Sequence, residues 1–213
     1  MRSLERSAVL MLVCVVVALC AALIGAVQKE QAWRSLFDGK TLHGWKSTNF
    51  GGEGSVSVKN GQIMLERGEP LTGVTWTGGD IPRMNYEISL EAMRLNGSDF
   101  FVGLTFPVAD SHCSLILGGW GGSLVGLSSL DGMDASENET STAINFEDNR
   151  WYRVRVRVTP EKIMAWLDDK VIVDADIKGR QISVRVEVFL SQPLGVASYV
   201  TESALRDIKV RRL

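Results

Sequence analysis

The chain has 213 residues, of which 45% are hydrophobic and 23% charged, with a formal net charge of -2. That balance suits a globular protein with one sizeable core and excludes a disordered chain. No basic block is present, so a nucleic-acid partner is not expected.

The first 26 residues stand apart. Arg2 and Arg6 precede an unbroken apolar run from Ala8 to Gly25, and polar residues resume at Gln28. Positive residues followed by an apolar stretch and small residues make an export signal, with cleavage after Ala26. About eighteen apolar residues also suffice to span a bilayer, so a retained anchor helix is the alternative. Either form implies an exported domain, periplasmic or secreted, with membrane contact only through this segment. Cys14 and Cys20 fall inside it, and Cys113 is the one cysteine beyond it. No internal disulfide is expected, and Cys113, alternating with Leu115 and Leu117, reads as buried.

Ala32 to Leu36 reads as a short helical segment before the strands begin. Val56 to Leu65 is a hairpin centred on Asn60-Gly61, with Val58 facing Ile63 and Val56 facing Leu65. Trp76 follows, flanked by Thr75, Thr77 and Gly78-Gly79. Tyr86 to Ala92 alternates apolar and polar residues, which predicts a strand with Glu87, Ser89 and Glu91 on one solvated face. Residues i and i+4 of a strand lie ~13 Å apart. A retaining glycosidase needs carboxyl groups ~5 Å apart, so Glu87 and Glu91 do not make that pair. Phe100 to Phe106 and His112 to Leu117 are continuously apolar, as in central strands.

Gly118 to Gly122 then sets Trp120 on a glycine-rich turn. The acidic segment Asp131-Gly-Met-Asp134-Ala-Ser-Glu137-Asn-Glu139 follows. Trp151 to Val158 alternates cleanly, with Arg153, Arg155 and Arg157 on one face and Tyr152, Val154, Val156 and Val158 on the other. Ile163 to Val173 is a second hairpin that turns at Asp168-Asp169 and pairs Trp166 with Val171. Ile182 to Val188 repeats the alternation and predicts another strand. Trp45, Trp151 and Trp166 lie in periodic blocks and read as core. About a dozen short antiparallel strands with Gly-rich turns imply an all-β fold of two packed sheets.

Leu36-Phe-Asp-Gly-Lys-Thr-Leu-His-Gly-Trp45 resembles the opening signature of the 3-keto-disaccharide hydrolase family, which often has Asp where this chain has His43. The Val-x-Asn-Gly-x-Ile hairpin, Trp151 before its strand, Trp166-Leu-Asp-Asp and the ending Leu205 to Leu213 are similar to later blocks of that family in the same order. The resemblance covers residues 33–213 as one domain. It implies a concanavalin A-like jelly-roll sandwich, a carbohydrate ligand and, in some members, metal-assisted cleavage of 3-keto-glycosides. The family's polar central strand, of the type Tyr-Glu-x-Gln-x-x-Asp, is replaced here by His112-Cys-Ser-Leu-Ile-Leu-Gly-Gly-Trp120, so no catalytic residue is carried over.

The chain's own candidates for a ligand site are Trp120 and Trp76, whose rings suit stacking on sugars, His112, and the acidic Asp131, Asp134 and Glu137. Oxygen-rich loops of this kind suit a divalent cation such as calcium, although the spacing is not that of an EF-hand. Neither histidine has zinc-ligand spacing. Three functions compete: a 3-keto-glycoside hydrolase, a non-catalytic glycan-binding module, and an envelope domain that contacts other proteins.

Overall fold

The structure, a computed structural model, describes residues 31–213, and the export reading of residues 1–26 lies outside the described residues. Among the described residues no helix is long and apolar enough to cross a membrane. Two antiparallel sheets face each other. The larger contains β1 (Arg34–Ser35), β3 (Val56–Lys59), β4 (Gln62–Leu65), β6 (Tyr86–Gly97), β11 (Trp151–Val158), β12 (Lys162–Leu167), β13 (Lys170–Asp176) and β15 (Thr201–Arg212). Their order is β13-β12-β11-β6-β15-β4-β3, with β1 also paired to β15.

The smaller sheet is built from β2 (Trp45–Ser47), β5 (Leu71–Trp76), β7 (Val102–Val108), β8 (Ser111–Gly118), β9 (Leu124–Ser128), β10 (Thr142–Ala143) and β14 (Gly195–Tyr199). Its order is β10-β9-β8-β7-β14-β5-β2. The predicted two-sheet all-β sandwich is what the chain forms.

Period-two patterning explains the core. Ile88, Leu90, Tyr152, Val154 and Val156 from the larger sheet meet Val102, Leu104, Phe106, Leu115 and Leu117 from the smaller, all essentially inaccessible to water. Tyr86 reaches across, its hydroxyl donating to the Pro107 carbonyl at 2.5 Å. Cys113 lies in this core, and burial pushes its thiol pKa up to about 12. Iodoacetamide at pH 8 should therefore leave Cys113 unmodified in the folded protein and label it once denaturant is added. Peptide mass spectrometry reads the site, and rapid labelling under native conditions would contradict the burial.

Both hairpins have the expected register, Val58 opposite Ile63 and Trp166 opposite Val171. Their turn residues, Asn60-Gly61 and Asp168-Asp169, all have positive φ, as a tight hairpin turn requires. The Leu36–Trp45 signature is also structural. The Asp38 carboxylate accepts from the amides of Lys40 and Thr41 and from the Thr41 hydroxyl, each at 2.8 Å, which brings its pKa down to about 2. The Trp45 indole closes the turn by donating to the Leu36 carbonyl at 2.7 Å.

Four expectations are corrected. Arg34–Ser35 is a short strand on β15, not part of a helix, because its amides find a sheet edge. Ile182 to Val188 is not a strand: Ile182 makes one bridge to Leu130, and the chain then turns into a 3-10 segment, Val186–Ser191, across the outer face of the smaller sheet. Trp151 and Trp166 lie on the outer face of the larger sheet beneath arginines rather than in the core. Glu87 is fully buried, not solvated, because Arg155, Arg157 and Arg211 close over it.

Candidate functional site

The outer face of the smaller sheet is lined by small residues. Gly103 and Thr105 of β7, Ser114 of β8, Gly126 and Ser128 of β9, and Gly195 and Ala197 of β14 alternate with the core residues and point away from it. Two segments roof this face. The acidic segment covers β9, where a Cβ on Gly126 would fall 2.9 Å from the Ala135 carbonyl. The 3-10 segment covers β14, where a Cβ on Gly195 would fall 2.6 Å from the Ser191 carbonyl. Small side chains are therefore what allows the roof to sit so close.

Between the two roofs a cleft of about 290 Å³ stays open. Its floor is Ser114, Ile116 and Ser128, and its walls are Leu71, Phe100, Tyr199 and Val188. Val188 is the one anchor of the 3-10 segment in a small apolar cluster with Leu71 and Ala197, while Val186, Phe189 and Leu190 remain exposed. Polar groups line the cleft as well: Asp99, Arg185 and Glu187, beside the ring of Trp120.

Trp120 is 46% exposed, and its backbone is left-handed, with φ 48° and ψ 53°. That conformation is costly for a tryptophan and is held by its surroundings. Gly118, Gly121 and Gly122 supply the flanking positive φ values. Arg94 of β6 donates to the Gly122 carbonyl at 3.2 Å and to the Phe146 carbonyl at 2.7 Å, and pairs with Asp148. The Gly121 amide lies 3.4 Å from the Asp99 carboxylate, whose other oxygen takes the Phe100 amide at 2.7 Å. The Arg185 guanidinium lies 5.9 Å from the Trp120 ring centre. An aromatic face is thus displayed at a cleft with apolar walls and a few charged groups rather than folded into the core.

Arg185 pairs with Glu187 at 2.8 Å and also with Asp134. The guanidinium holds the Glu187 carboxyl below the usual carboxylate range, so it is ionised at neutral pH. With Asp99 and Asp134 close by, the carboxylates outnumber the single cation, and an acidic ligand is disfavoured.

The sequence candidates divide. Trp120 lines the cleft, and Asp134 reaches its edge through Arg185. Trp76 does not belong to it: the ring is buried, 5.3 Å from Trp45 in an edge-on contact, and its indole donates to the Gly79 carbonyl at 2.8 Å. Its glycine neighbours exist for packing, since a Cβ on Gly44 or Gly78 would meet that ring at 2.6 or 2.5 Å. His112 is outside the cleft lining; burial, with Arg83 nearby, lowers its pKa and keeps it neutral.

Asp131 accepts from Arg180 Nε and from the Gln181 amide, both at 2.8 Å, and Glu139 pairs with the same arginine. Asp134 takes the Ser136 amide at 2.8 Å, and Glu137 takes the Asp134 amide at 3.3 Å. The acidic carboxylates therefore lock their own loop to the chain at residues 180–185. Among the described residues no group of three or more His, Cys, Asp or Glu side chains is placed to hold a metal ion. Asn138, buried, completes the lock by donating to the carbonyls of Leu127 and Asp134 at 2.7 Å each.

Sequence reasoning missed Asp99, Arg185 and Glu187. Asp99 lies in the glycine-containing Asn96-Gly97-Ser98-Asp99 block, a visible turn signal. Arg185 and Glu187 were hidden in a pattern that imitates a strand.

Solved structures with the same sandwich include a putative glycosyl hydrolase from Parabacteroides distasonis, with 13% identity, a TM-score of 0.53, and coverage of 85% of this chain and 94% of that one. The Crh5 transglycosylase in complex with NAG has 10% identity, a TM-score of 0.55, and coverage of 85% and 83%. The Emp46p carbohydrate recognition domain has 13% identity, a TM-score of 0.53, and coverage of 79% and 88%. At these identities the likeness concerns the fold. Comparison with curated protein sequences finds no match. Residues 32–211 match the 3-keto-alpha-glucoside-1,2-lyase-like domain, which takes in nearly all of the sandwich, and the chain belongs to that family.

Proposed function

We propose that this chain is an exported carbohydrate-binding domain whose cleft on the smaller sheet seats a neutral sugar ring against Trp120. The half-exposed indole of Trp120, whose left-handed backbone holds it at the cleft, carries the reading. A pyranose places its C–H face on an indole, and its hydroxyls find the carboxylates of Asp99 and Glu187, the Arg185 guanidinium and the hydroxyls of Ser114 and Ser128. Sugar-directed neighbours of the same fold and the family match support the ligand class.

Neutral glycans and 3-keto-glucosides should change the tryptophan fluorescence, and uronate-containing ones should bind more weakly. Trp120→Ala is expected to weaken binding by about 1–3 kcal/mol, the scale of a lost buried aromatic contact. Its melting temperature should stay close to wild type, because the ring is half in water. Unchanged affinity in the variant would remove Trp120 from the site. Failure to bind across a broad neutral panel would leave the protein-contact reading standing.

The family match favours a second reading, in which bound 3-keto-glucosides are also cleaved. Elimination across C1 and C2 removes the C2 proton, acidified by the neighbouring ketone. The C–H electron pair forms the C1–C2 double bond, and the C1–O bond breaks to release the alcohol after protonation. Ionised Glu187 and the cleft-lining Asp99 are the carboxylates available to take that proton. Sugar released by the wild type but not by Asp99→Asn or Glu187→Gln, with binding retained, would support this reading. Binding without release restricts the domain to recognition.

A further inference from the structure

The outer face of the larger sheet carries a charge pattern that the cleft does not use. In register, Arg211 stands opposite Glu87 and Glu87 opposite Arg157. Lys209, Ser89 and Arg155 form the next row, and Arg206, Glu91 and Arg153 the third. Six cations and two anions thus occupy a grid over β15, β6 and β11, with neighbouring strands ~4.8 Å apart and successive rows ~6.8 Å apart. At the rim Asp207 pairs with Lys209 and Asp169 with Arg153, and on the neighbouring β12 and β13 Lys162 pairs with Asp174 and Asp176, so the positive excess is confined to the grid over β15, β6 and β11.

Three indoles support the grid. The guanidinium carbon of Arg155 lies 4.0 Å from the Trp166 ring centre, that of Arg206 3.9 Å from Trp151, and that of Arg211 4.7 Å from Trp33. Stacking holds these long side chains in place at little further entropy cost on binding. The side chains of Arg153 and Arg206 are 55% and 40% exposed. An open sheet face presents such charges as an array, which suits a planar field of anions better than a single ligand.

Trp33 also marks where the chain enters this face. Seven residues separate it from Gly25, the end of the apolar run, a reach of less than about 30 Å even when fully extended. Where that run is retained in a bilayer, the cationic face stays tethered close to the headgroups.

We propose that this face docks on anionic phospholipid headgroups of the membrane that holds the N-terminal run. The cleft, on the outer face of the opposite sheet, would then point away from the bilayer. Docking of this kind depends on charge and weakens as salt screens it.

The test uses the full chain reconstituted in vesicles of phosphatidylcholine alone or with phosphatidylserine added. Phenylglyoxal modification of Arg153 and Arg206, read by peptide mass spectrometry, reports the face. Modification should be roughly fivefold slower on the anionic vesicles and recover at about 0.5 M salt. The double variant Arg153→Gln/Lys209→Gln, which spares the arginines around Glu87, should lose most of the protection at Arg206 while keeping its melting temperature. Equal rates on both vesicle types would overturn the proposal. Protection by a soluble sulfated polysaccharide, with none from anionic vesicles, would overturn it too and assign the face to a polyanionic glycan.

Discussion

Val156→Asp is expected to abolish folding or to destabilise the domain by more than about 4 kcal/mol, the size reserved for an unpaired charge placed in a core. Val156 sits at the centre of β11, inaccessible to water and flanked by β6 and β12. The protein should lose its cooperative thermal transition and its strand circular dichroism signal. A stable, cooperatively melting variant would mean that the two faces of β11 are assigned the wrong way round. Alternation alone predicts that Arg155→Ser, one residue away, is mild. The structure revises this upward: Arg155 donates to Glu87 at 2.9 Å and stacks on Trp166. A loss of about 1–2 kcal/mol is the new expectation, from one charge-assisted hydrogen bond and one stacked cation.

Glu87→Gln should produce the next largest loss, about 2–3 kcal/mol. Breaking a buried ion pair typically costs ~3–5 kcal/mol, and the figure is lower here because the three arginines still reach water. Burial by itself would raise the Glu87 pKa, but hydrogen bonds from Arg211 and Arg157 outweigh it and hold the carboxyl below its usual 4.5. A depressed folded-state pKa gives stability that is present above the unfolded value and disappears as pH falls through the folded one. Wild type minus variant stability should therefore be constant from neutral pH down to about 4.5 and shrink below it. The difference isolates Glu87 from Asp38, Asp131 and Glu139, whose pKa values are also lowered. A gap that widens on acidification would contradict this account.

Strands and hairpins were legible because a half-buried strand gives the same period-two signal wherever it packs, and Asn60-Gly61 and Asp168-Asp169 fix their own registers. The same signal misleads at Ile182 to Val188, where the chain continues into no sheet and Val188 packs on Leu71 and Ala197 from above. Alternation assigns a residue to one face of a strand but says nothing of what covers that face. Glu87 shows this, since guanidiniums from β11 and β15 bury a carboxylate that reads as solvated, while Trp151 and Trp166, which read as core, lie half-buried under arginines on that same outer face.

Trp120 was legible because its glycines are local. Asp99 and Arg185 meet only through the folded chain, 86 residues apart. Asp131 and Asp134 present the oxygen-rich pattern of a cation loop, and distant Arg180 and Arg185 decide that those oxygens serve ion pairs instead.

The place of β15 bears on when this domain can form. The last of the described strands lies between β6 and β4, joining the four-strand half β13-β12-β11-β6 to the hairpin of β4 and β3, and it also holds β1. A chain still on the ribosome has both halves of that sheet but not the strand that unites them, and its pairings with β6 and β1 span more than a hundred residues. Completion therefore waits for β15 to emerge, and the closing step is a slow, long-range one. Until β15 has been made, the larger sheet stays in two unjoined parts, with the facing edges of β6 and β4 both unpaired.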